Sequence, residues 1–359
     1  MTRKPSVLVA MSGGVDSSVS AALLHERGYR VLGSHLKLVH LDGVDHGCCG
    51  PQAETDARAV AETMGFEFEV VDMSPEFERT VLSDFFSEHR EGRTPNPCAR
   101  CNEHIKFGAF LARAGELGFE FVATGHYVRT WRDAEGRWHL GRGRDRSKDQ
   151  SYMLHMLGQG ELGRSVFPVG DQTKTETRAH AERLGLPVAS KPDSQEVCFV
   201  PGADHGAFLE RHAPDLVQMG TIHDSSGRTL GKHQGTFQFT IGQRRGIGVS
   251  TGERSYVVDL DREQNRVVVG PGELLSRRGL IADRVHWVGD GPPSDGPFEA
   301  EARIRYRGED VPAVIEAMDA DQVRVEFRAP LRAVAPGQSV VFYRGDEVLG
   351  GARITEALL

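Results

Sequence analysis

The sequence lacks the features of membrane-embedded and secreted proteins. Among its 359 residues, no apolar run approaches the roughly 20 residues that a membrane-spanning helix requires. The mean hydropathy is −0.38, and the first apolar stretch, residues 6–10, is too short and too closely followed by glycine and aspartate for a signal peptide. We therefore expect a cytoplasmic protein without a membrane partner.

Positive charge and cysteine are also scarce. The chain has 43 Lys and Arg against 51 Asp and Glu, a net charge of −8, whereas nucleic-acid-binding domains are usually basic. Any nucleic-acid partner would have to be held by local basic patches, with an affinity that falls in salt. Five cysteines, an odd number in a long chain, argue against a disulfide framework and favour a chemical role.

The first half of the chain alternates between strand-like and helix-like segments. Residues 6–10 form a short apolar run before a glycine pair, which is typical of a buried strand. Further strands are predicted at 29–39, 66–73 and 121–126, and helices after Ser17, at 54–65 and at 76–92. This alternation predicts the α/β class, with a parallel sheet covered on both faces.

The pattern changes near residue 200. Short β-rich runs follow, separated by Gly, Pro and Asp; the runs are TFQFTIG, SYVVDLD, NRVVVG, ADRVHWVG, FEAEARIRY, QVRVEFR and QSVVFYRG. Such spacing suggests small antiparallel barrels, with a weak break at 271–279. We predict a catalytic domain at 1–200, a small β-rich domain at 201–272 and a C-terminal β-barrel at 273–359.

The segment Ser12–Ser18 has the composition of an anion-binding turn. It lies directly between a predicted strand and a predicted helix. Its glycines let the backbone approach an anion, and the amides of the helix N-terminus would point at it. Asp16 beside a phosphate implies a divalent metal between the two. Neither the GK[ST] of a Walker A loop nor GxGxxG is present, and a plain strand–helix turn is the alternative.

Cysteines form the second chemical signal. Cys98 and Cys101 make a CxxC pair in a proline-stiffened polar segment, where Arg93, Arg100 and Lys106 could lower the pKa of the thiols. A thiol pair in such a loop rarely serves packing.

Cys198 lies far along the chain between Val197 and Phe199, and alone it could be a buried structural thiol. A zinc site is a rival interpretation, in which Cys48 and Cys49 would supply the missing ligands.

Three polar segments could contact a ligand. His126 ends a predicted strand, where open α/β sheets bind ligands, although it could equally cap the next segment. Residues 141–152 are locally basic with a terminal tyrosine, so either a solvated loop or a nucleic-acid contact is plausible. Arg303, Arg305 and Arg307 alternate along a predicted strand and would project to one face, as an exposed face or a phosphate-binding stripe.

Several motifs occur together in a familiar order. They are SGGVDSS, GRTPNPCARCN, ATGHY, KDQSY, FPVGDQTKTETR, DSQEVCF, TIGQRRGIG and RYR. In this order the chain resembles the bacterial tRNA-specific 2-thiouridylases of the ATP pyrophosphatase (PP-loop) superfamily, over about residues 6–355. The resemblance implies ATP-dependent 2-thiolation of the wobble uridine of tRNA, with release of AMP and pyrophosphate.

The resemblance also implies roles for particular residues. Cys101 matches the nucleophile and Cys198 the persulfide carrier, while ATP and Mg²⁺ are the expected cofactors. The positions that match nucleotide contacts are Ala10, Met11, Ser12, Gly13, Gly14, Val15, Asp16, Ser17, Leu36 and Gly125. Those that match tRNA contacts are Asn96, Pro97, Cys98, His126, Lys148, Asp149, Gln150, Arg305, Tyr306 and Gln338. The C-terminal barrels would hold the anticodon arm.

One position departs from the common pattern. Many members of the family have Asp where this chain has Cys98, so general acid–base work would fall to a thiol. Two routes therefore stay open. Either a persulfide on Cys198 delivers sulfur, or Cys98, Cys101 and Cys198 hold an iron–sulfur cluster of the 4Fe–4S type. In both, sulfur comes from a donor such as a cysteine desulfurase or a sulfur-relay protein.

Two other functions compete with thiolation. Another ATP pyrophosphatase-type synthetase, acting on a small molecule, would share the Ser12–Ser18 turn but would need no thiols. A non-enzymatic RNA-binding protein would explain the β-rich half but not the cysteines.

Overall fold

The computed structural model describes residues 4–39, 50–193, 197–200, 202, 204–250 and 252–359. The zinc ligands considered at Cys48 and Cys49 lie outside the described residues.

The N-terminal part is built on a parallel sheet of five strands in the order β3-β2-β1-β4-β7. These strands are β1 (Ser6–Ala10), β2 (Arg30–Lys37), β3 (Glu67–Asp72), β4 (Phe121–Ala123) and β7 (Ser165–Val166). Successive residues of the central strand β1 belong to different cores, since Leu8 packs in one cluster and Val7 and Val9 in the other. The predicted parallel sheet, covered on both faces, is confirmed.

Helices cover the two faces of this sheet. On the Val7 side lie α1 (Val15–Glu26), α2 (Pro51–Met64) and α8 (Lys174–Arg183). On the Leu8 side, two helical stretches each contain a π-helical section. The first comprises α3 (Ser74–Phe77), Glu78–Leu82 and α4 (Ser83–Arg90), and the second α5 (Pro97–Cys101), Asn102–Ala109 and α6 (Phe110–Glu116). Two short helices, α7 (Gln159–Leu162) and α9 (His205–His212), complete the described set.

The central part is a four-stranded sheet in the order β10-β11-β8-β9. Its strands are β8 (Gly220–Asp224), β9 (Thr229–His233), β10 (Tyr256–Asp261) and β11 (Arg266–Gly270). The prediction of a purely antiparallel barrel is wrong here, because β11 and β8 pair in parallel.

The TFQFTIG run is not a strand either. Residues Thr236–Gln238 form a 3₁₀ turn, and Phe237 and Phe239 alternate because they enter two different cores.

The C-terminal part is a closed barrel of six antiparallel strands. They are β12 (Ser276–Trp287), β13 (Phe298–Arg303), β14 (Val311–Ala317), β15 (Val323–Arg332), β16 (Ser339–Arg344) and β17 (Glu347–Leu358). Pairing between β12 and β17 closes the barrel, so neither strand is left as an exposed edge.

Backbone hydrogen bonds fix this barrel to the N-terminal part. A hairpin of β5 (Val128–Arg132) and β6 (Trp138–Arg142) extends the barrel sheet, since β6 pairs with β17. The N–H of Thr94 also donates to the carbonyl of Pro336 over 2.8 Å. The barrel is thereby held against the segment that carries Cys98 and Cys101.

The arginines expected on one strand face do not share a strand. Strand β13 ends at Arg303, and the N–H of Gly308 donates to the carbonyl of Arg305 over 2.9 Å, so the chain turns there. Arg303 is half-buried, pairs with Asp310 at 2.8 Å and lies over the ring of Tyr343. Arg305 and Arg307 are exposed, so the common face predicted from the alternation is wrong.

Across the described ranges, no helix is both long enough and apolar enough to span a bilayer.

Buried His155 should make the fold sensitive to acid. Burial, with a contribution from His286, lowers the pKa of His155 to about 3, and its Nδ1 lies close to Gly351 of β17. Between that value and a pKa of roughly 6.5, the unfolded chain binds a proton that the folded chain rejects. The free energy of unfolding should then fall by about 1.4 kcal/mol per pH unit for this histidine as the pH drops.

Urea denaturation between about pH 6 and about pH 5 measures this slope, a window that lies above the ordinary range of carboxyl pKa values. His155→Gln should give a shallower dependence than the parent protein. Equal slopes would contradict the assignment.

Candidate active site

The turn between β1 and α1 is preorganised by its own serines. The N–H of Ser12 donates to Ser17 Oγ over 3.2 Å, and Ser17 Oγ donates to the carbonyl of Gly14 over 3.2 Å. Gly14 occupies the N-cap of α1 and offers no side chain to the first helical turn. The amides of that turn therefore face outward as donors for an anion.

Two glycines let neighbouring backbone approach this turn. Gly13 has φ +66°, and a Cβ there would lie 2.2 Å from the carbonyl oxygen of Ala53 in α2. A Cβ on Gly125 would lie 2.6 Å from the nitrogen of Ser17. The structure thus places Gly125 against the turn, and only glycine fits either position without displacing backbone.

Lys174 pairs with Asp16, and a second lysine binds the backbone of the turn. Lys174 Nζ lies 2.6 and 2.8 Å from the two carboxylate oxygens of Asp16, and the hydroxyl of Tyr127 donates to the same carboxylate over 2.8 Å. Burial and then the charge of Asp16 raise the pKa of Tyr127, which keeps its proton. Lys191 Nζ donates to the carbonyl of Gly13 over 2.9 Å. Two cations thus border the turn.

Lys174, Lys191 and Tyr127 were not predicted as site residues from the sequence. Lys174 begins α8, where the helix dipole disfavours a positive charge. A lysine at that position, inside the FPVGDQTKTETR motif, was the available signal.

The residues of the turn fit a nucleoside triphosphate with a bound divalent metal ion. Outward amides, serine hydroxyls and two lysines suit phosphate oxygens, and the carboxylate of Asp16 is the hard oxygen ligand that Mg²⁺ prefers. Leu36 is the penultimate residue of β2, the strand next to β1, and is buried, so it can pack on a base at the same edge of the sheet.

Cys98 and Cys101 lie on α5, not in a loop as expected. The carboxamide of Asn96 accepts the N–H of Ala99 over 3.3 Å and caps this helix, with Pro97 in its first turn. Cys98 is exposed, whereas Cys101 is buried.

The predicted nucleophile Cys101 and the predicted persulfide carrier Cys198 contact the same large apolar cluster. Cys101 belongs to the buried cluster that contains Leu36 and Phe199, and half-buried Cys198 packs against that cluster. The two thiols, distant in sequence, therefore border a common core that reaches the carboxyl end of β2.

The arginines near the CxxC pair bind carboxylates. Arg93 donates to Glu88 over 2.7 and 2.9 Å, and Arg100 pairs with Glu103 at 2.5 Å. Each of these two arginines is thus paired with a carboxylate of a neighbouring helical residue.

The described residues also include no group of three or more His, Cys, Asp or Glu side chains that could hold a metal ion. The three cysteines are not arranged as an iron–sulfur site in this conformation.

Residues of the C-terminal part contact the segment that precedes α5. Gln338 Nε2 donates to the carbonyls of Thr94 and Pro95 over 2.9 and 3.3 Å. Tyr306 packs against the same apolar cluster, and burial, with a smaller contribution from Asp149, raises its pKa. Both were predicted as tRNA contacts, and both lie beside the segment that carries Cys98.

The other predicted tRNA residues differ in accessibility. Asp149 is buried and accepts the N–H groups of Gly143 and Ser151, and the carboxamide of Gln150 accepts the N–H of Tyr127 over 2.9 Å. His126 is buried 2.8 Å from the hydroxyl of Thr124, and burial holds its pKa well below the usual value. Lys148 pairs with Asp193, and Arg305 is exposed. Their contacts with RNA remain predictions.

Family models match three consecutive segments of the chain. The segments are residues 5–202, described as a tRNA methyl transferase HUP domain, residues 206–271, described as a tRNA methyl transferase PRC-barrel domain, and residues 277–354, described as an aminomethyltransferase beta-barrel domain. The matches agree with the observed order of a parallel-sheet part followed by two β-rich parts.

Curated relatives match over nearly the whole length. The tRNA-specific 2-thiouridylase of Heliobacterium modesticaldum is 48% identical, over 99% of this chain and 94% of the relative. That of Carboxydothermus hydrogenoformans is 46% identical over 99% of both chains, and that of Acidothermus cellulolyticus is 48% identical over 97% of both.

Replacing Gly13 by alanine should weaken ATP binding. The added Cβ would overlap the carbonyl of Ala53 and push α2 away from the turn, so we expect at least a roughly tenfold loss of affinity. Gly28→Ala is the matched control, because Gly28 also has a positive φ, +83°, but has nothing within 4 Å of the added Cβ.

Titration calorimetry with ATP and thermal unfolding should be run on both variants. Backbone strain alone would affect the stability of both similarly. Equal ATP affinities in the two variants would show that the turn does not bind the nucleotide.

Proposed function

This chain belongs to the tRNA-specific 2-thiouridylase family, and on that premise we propose that it is an ATP-dependent tRNA-uridine 2-sulfurtransferase acting on the wobble base. The observation that carries the proposal is the near-full-length identity with these relatives. The placement of Cys101 and Cys198 on one apolar cluster that contains Leu36 supports it independently.

The first step activates the uridine. ATP would lie with its phosphates on the amides of the Ser12–Ser17 turn, with Lys174 and Lys191 beside them. The C2 oxygen attacks the α-phosphorus while N3 of the uridine would give its proton to the thiolate of Cys98, the bond from the α-phosphorus to the bridging oxygen breaks, and pyrophosphate leaves. Mg²⁺, bound through Asp16, would neutralise charge on the phosphates. The poor carbonyl leaving group has then become AMP.

The second step transfers sulfur. The terminal sulfur of a Cys198 persulfide attacks C2, and the C–O bond to AMP breaks. The thiolate of Cys101 then attacks the Cys198 sulfur, which releases the thiouridine and leaves a Cys101–Cys198 disulfide. A thiol reductant reopens this disulfide, and the sulfur donor reloads Cys198. The exposed thiol of Cys98 would exchange protons beside the base.

The tRNA would be held by its anticodon arm against the C-terminal barrel. Arg305, Tyr306 and Gln338 would contact it there, with Lys148 and His126 nearer the nucleotide turn. Because the protein carries a net charge of −8, binding should depend on these local contacts and weaken in salt. The target base must leave its stack to reach the thiols. We place this activity in the cytoplasm, with a cysteine desulfurase or sulfur-relay protein as the donor.

Serine at Cys198 or at Cys101 should abolish sulfur transfer. Each change removes one of the two thiols that the exchange requires, while the ATP turn and the barrel are untouched. We expect no detectable 2-thiouridine by nucleoside mass spectrometry. Affinity for tRNA should stay within about twofold, and the first burst of pyrophosphate should persist.

The double variant should be no worse than either single one, since the thiols act as a unit. Thiolation that survives in the double variant would overturn the persulfide proposal.

An iron–sulfur cluster on Cys98, Cys101 and Cys198 is the alternative route. The donor types suit a cluster, but the described arrangement does not bring them together as a metal site. We therefore expect protein purified without oxygen to contain no stoichiometric iron or acid-labile sulfide, and to carry added sulfur on Cys198 in peptide mass spectra.

Stoichiometric iron in the parent protein that is lost in Cys98→Ser would favour the cluster route over the persulfide route. Absence of both iron and persulfide in active protein would refute both routes.

A further inference from the structure

The motif TIGQRRGIG contains a turn, residues 240–246, that presents two neighbouring arginines to solvent. We propose that Arg244 and Arg245 of this arginine turn bind backbone phosphates of the tRNA next to the target base. The inference rests on the proposed function, because it assigns the two guanidinium groups to the tRNA of that reaction.

Neither arginine is neutralised by a carboxylate. Both side chains are exposed, and neither Arg244 nor Arg245 forms an ion pair in the part of the chain that the structure describes. Other exposed arginines of this acidic chain are paired, since Arg79, Arg90 and Arg228 each lie within 3.0 Å of a carboxylate oxygen. A guanidinium without an internal carboxylate keeps its donors available for an external anion, and its planar fork fits phosphate.

The backbone of the arginine turn is held by its own hydrogen bonds. Gln243 Oε1 accepts the N–H of Thr240 over 3.0 Å, and Gln243 Nε2 donates to the carbonyl of Arg245 over 3.0 Å. The N–H of Gly242 donates to the carbonyl of Val257 in β10 over 2.8 Å. Because this backbone is already ordered, phosphate binding would cost only the freedom of the arginine side chains.

The arginine turn lies where the three parts of the protein meet. The hydroxyl of Thr94, which precedes α5, donates to the hydroxyl of Thr240 over 3.3 Å. Gln338 of the C-terminal part donates to the carbonyl of the same Thr94 over 2.9 Å. A Cβ on Gly242 would lie 2.6 Å from the Cβ of Ala333, between β15 and β16. A tRNA held by the barrel with its target base at α5 would therefore pass its backbone beside the arginine turn.

An open cleft adjoins the arginine turn at the central sheet. The cleft has a volume of about 540 Å³, and its lining includes Arg244, Arg254, Ser250 and Glu253. Two guanidinium groups and a hydroxyl there can donate to an anion, whereas the carboxylate of Glu253 opposes it. Arg245 lies outside this lining, so it would bind a different phosphate from the one that Arg244 reaches.

The net charge of −8 gives such local contacts a measurable signature. Each phosphate that an arginine neutralises releases condensed counterions, so it adds to the slope of the logarithm of affinity against the logarithm of salt concentration. A phosphate contact carries no base information. Loss of Arg244 or Arg245 should therefore weaken all tRNAs alike and make the salt dependence shallower.

The experiment measures tRNA affinity by filter binding at several salt concentrations for the parent protein, Arg244→Gln, Arg245→Gln and the double variant. We expect each single variant to bind roughly threefold to tenfold more weakly near 0.1 M salt, with a slope smaller by about 0.7 to 1. The double variant should lose both contributions. The loss should be equal for a tRNA with a wobble uridine and one with a wobble cytidine. At saturating tRNA, kcat and the affinity for ATP should stay within about twofold of the parent.

Arg27→Gln is the matched control. Arg27 is also exposed and has no ion pair within the described ranges, and it lies at the end of α1 opposite to the nucleotide turn. The change removes the same charge, yet tRNA affinity and salt slope should equal those of the parent. Arg244→Lys keeps the charge and should keep most of the slope. Thermal unfolding of all variants should match the parent, because exposed side chains without partners are replaced.

A double variant with the affinity and salt slope of the parent protein would overturn the proposal. A loss no larger than that in Arg27→Gln would also overturn it, since net charge alone would then explain the effect. A parent protein that binds tRNA without thiolating it would refute the proposed function, while the salt slopes would still decide whether Arg244 and Arg245 bind phosphate.

Discussion

The pairing of Lys174 with Asp16 is the interaction on which the nucleotide turn depends, and the same lysine also pairs with Asp193. A carboxylate at the mouth of an anion-binding turn is unfavourable unless a cation accompanies it. Lys174 supplies that cation from another helix, and Tyr127 donates a second hydrogen bond. The turn can therefore hold a carboxylate beside its amides without repelling an anion.

A second constraint acts between the N-terminal part and the barrel. Pairing of β6 with β17 fixes the barrel through backbone bonds, whose geometry side-chain motion does not change. Buried Glu88 adds an ionic contact between the two parts, because it binds both Arg93, which precedes α5, and Arg353 of β17. Breaking such a pair leaves a buried charge without a partner. The intact pair therefore favours a single arrangement of the N-terminal part and the barrel, even where its net stabilisation is small. The barrel residues Tyr306 and Gln338 are thereby held beside the segment that carries Cys98.

The structural elements that depend on local sequence were predicted correctly. The Ser12–Ser18 turn, the parallel sheet and most of the later strands follow from glycine placement and apolar periodicity, and the structure has them. Arg305 and Arg307 were misplaced because alternation does not reveal where a strand stops, and the Phe237–Phe239 alternation reflected two cores. Lys174 and Asp193 could not be paired in advance, since only tertiary packing brings α8 to the turn. The CxxC helix was missed because its prolines suggested a loop.

The apolar surroundings of the thiols bear on the choice between sulfur and water. An adenylated base that meets water reverts to uridine, and the ATP is lost. Cys101 is 7% exposed and, with Leu36 and Phe199, belongs to the cluster on which Cys198 packs, so bulk water has little access to this side of the site. In the proposed exchange, the thiolate of Cys101 would lose less solvation on attack in such surroundings than a thiolate in bulk water. In the proposed reaction, burial of Cys101 would therefore favour sulfur transfer over hydrolysis of the adenylated base.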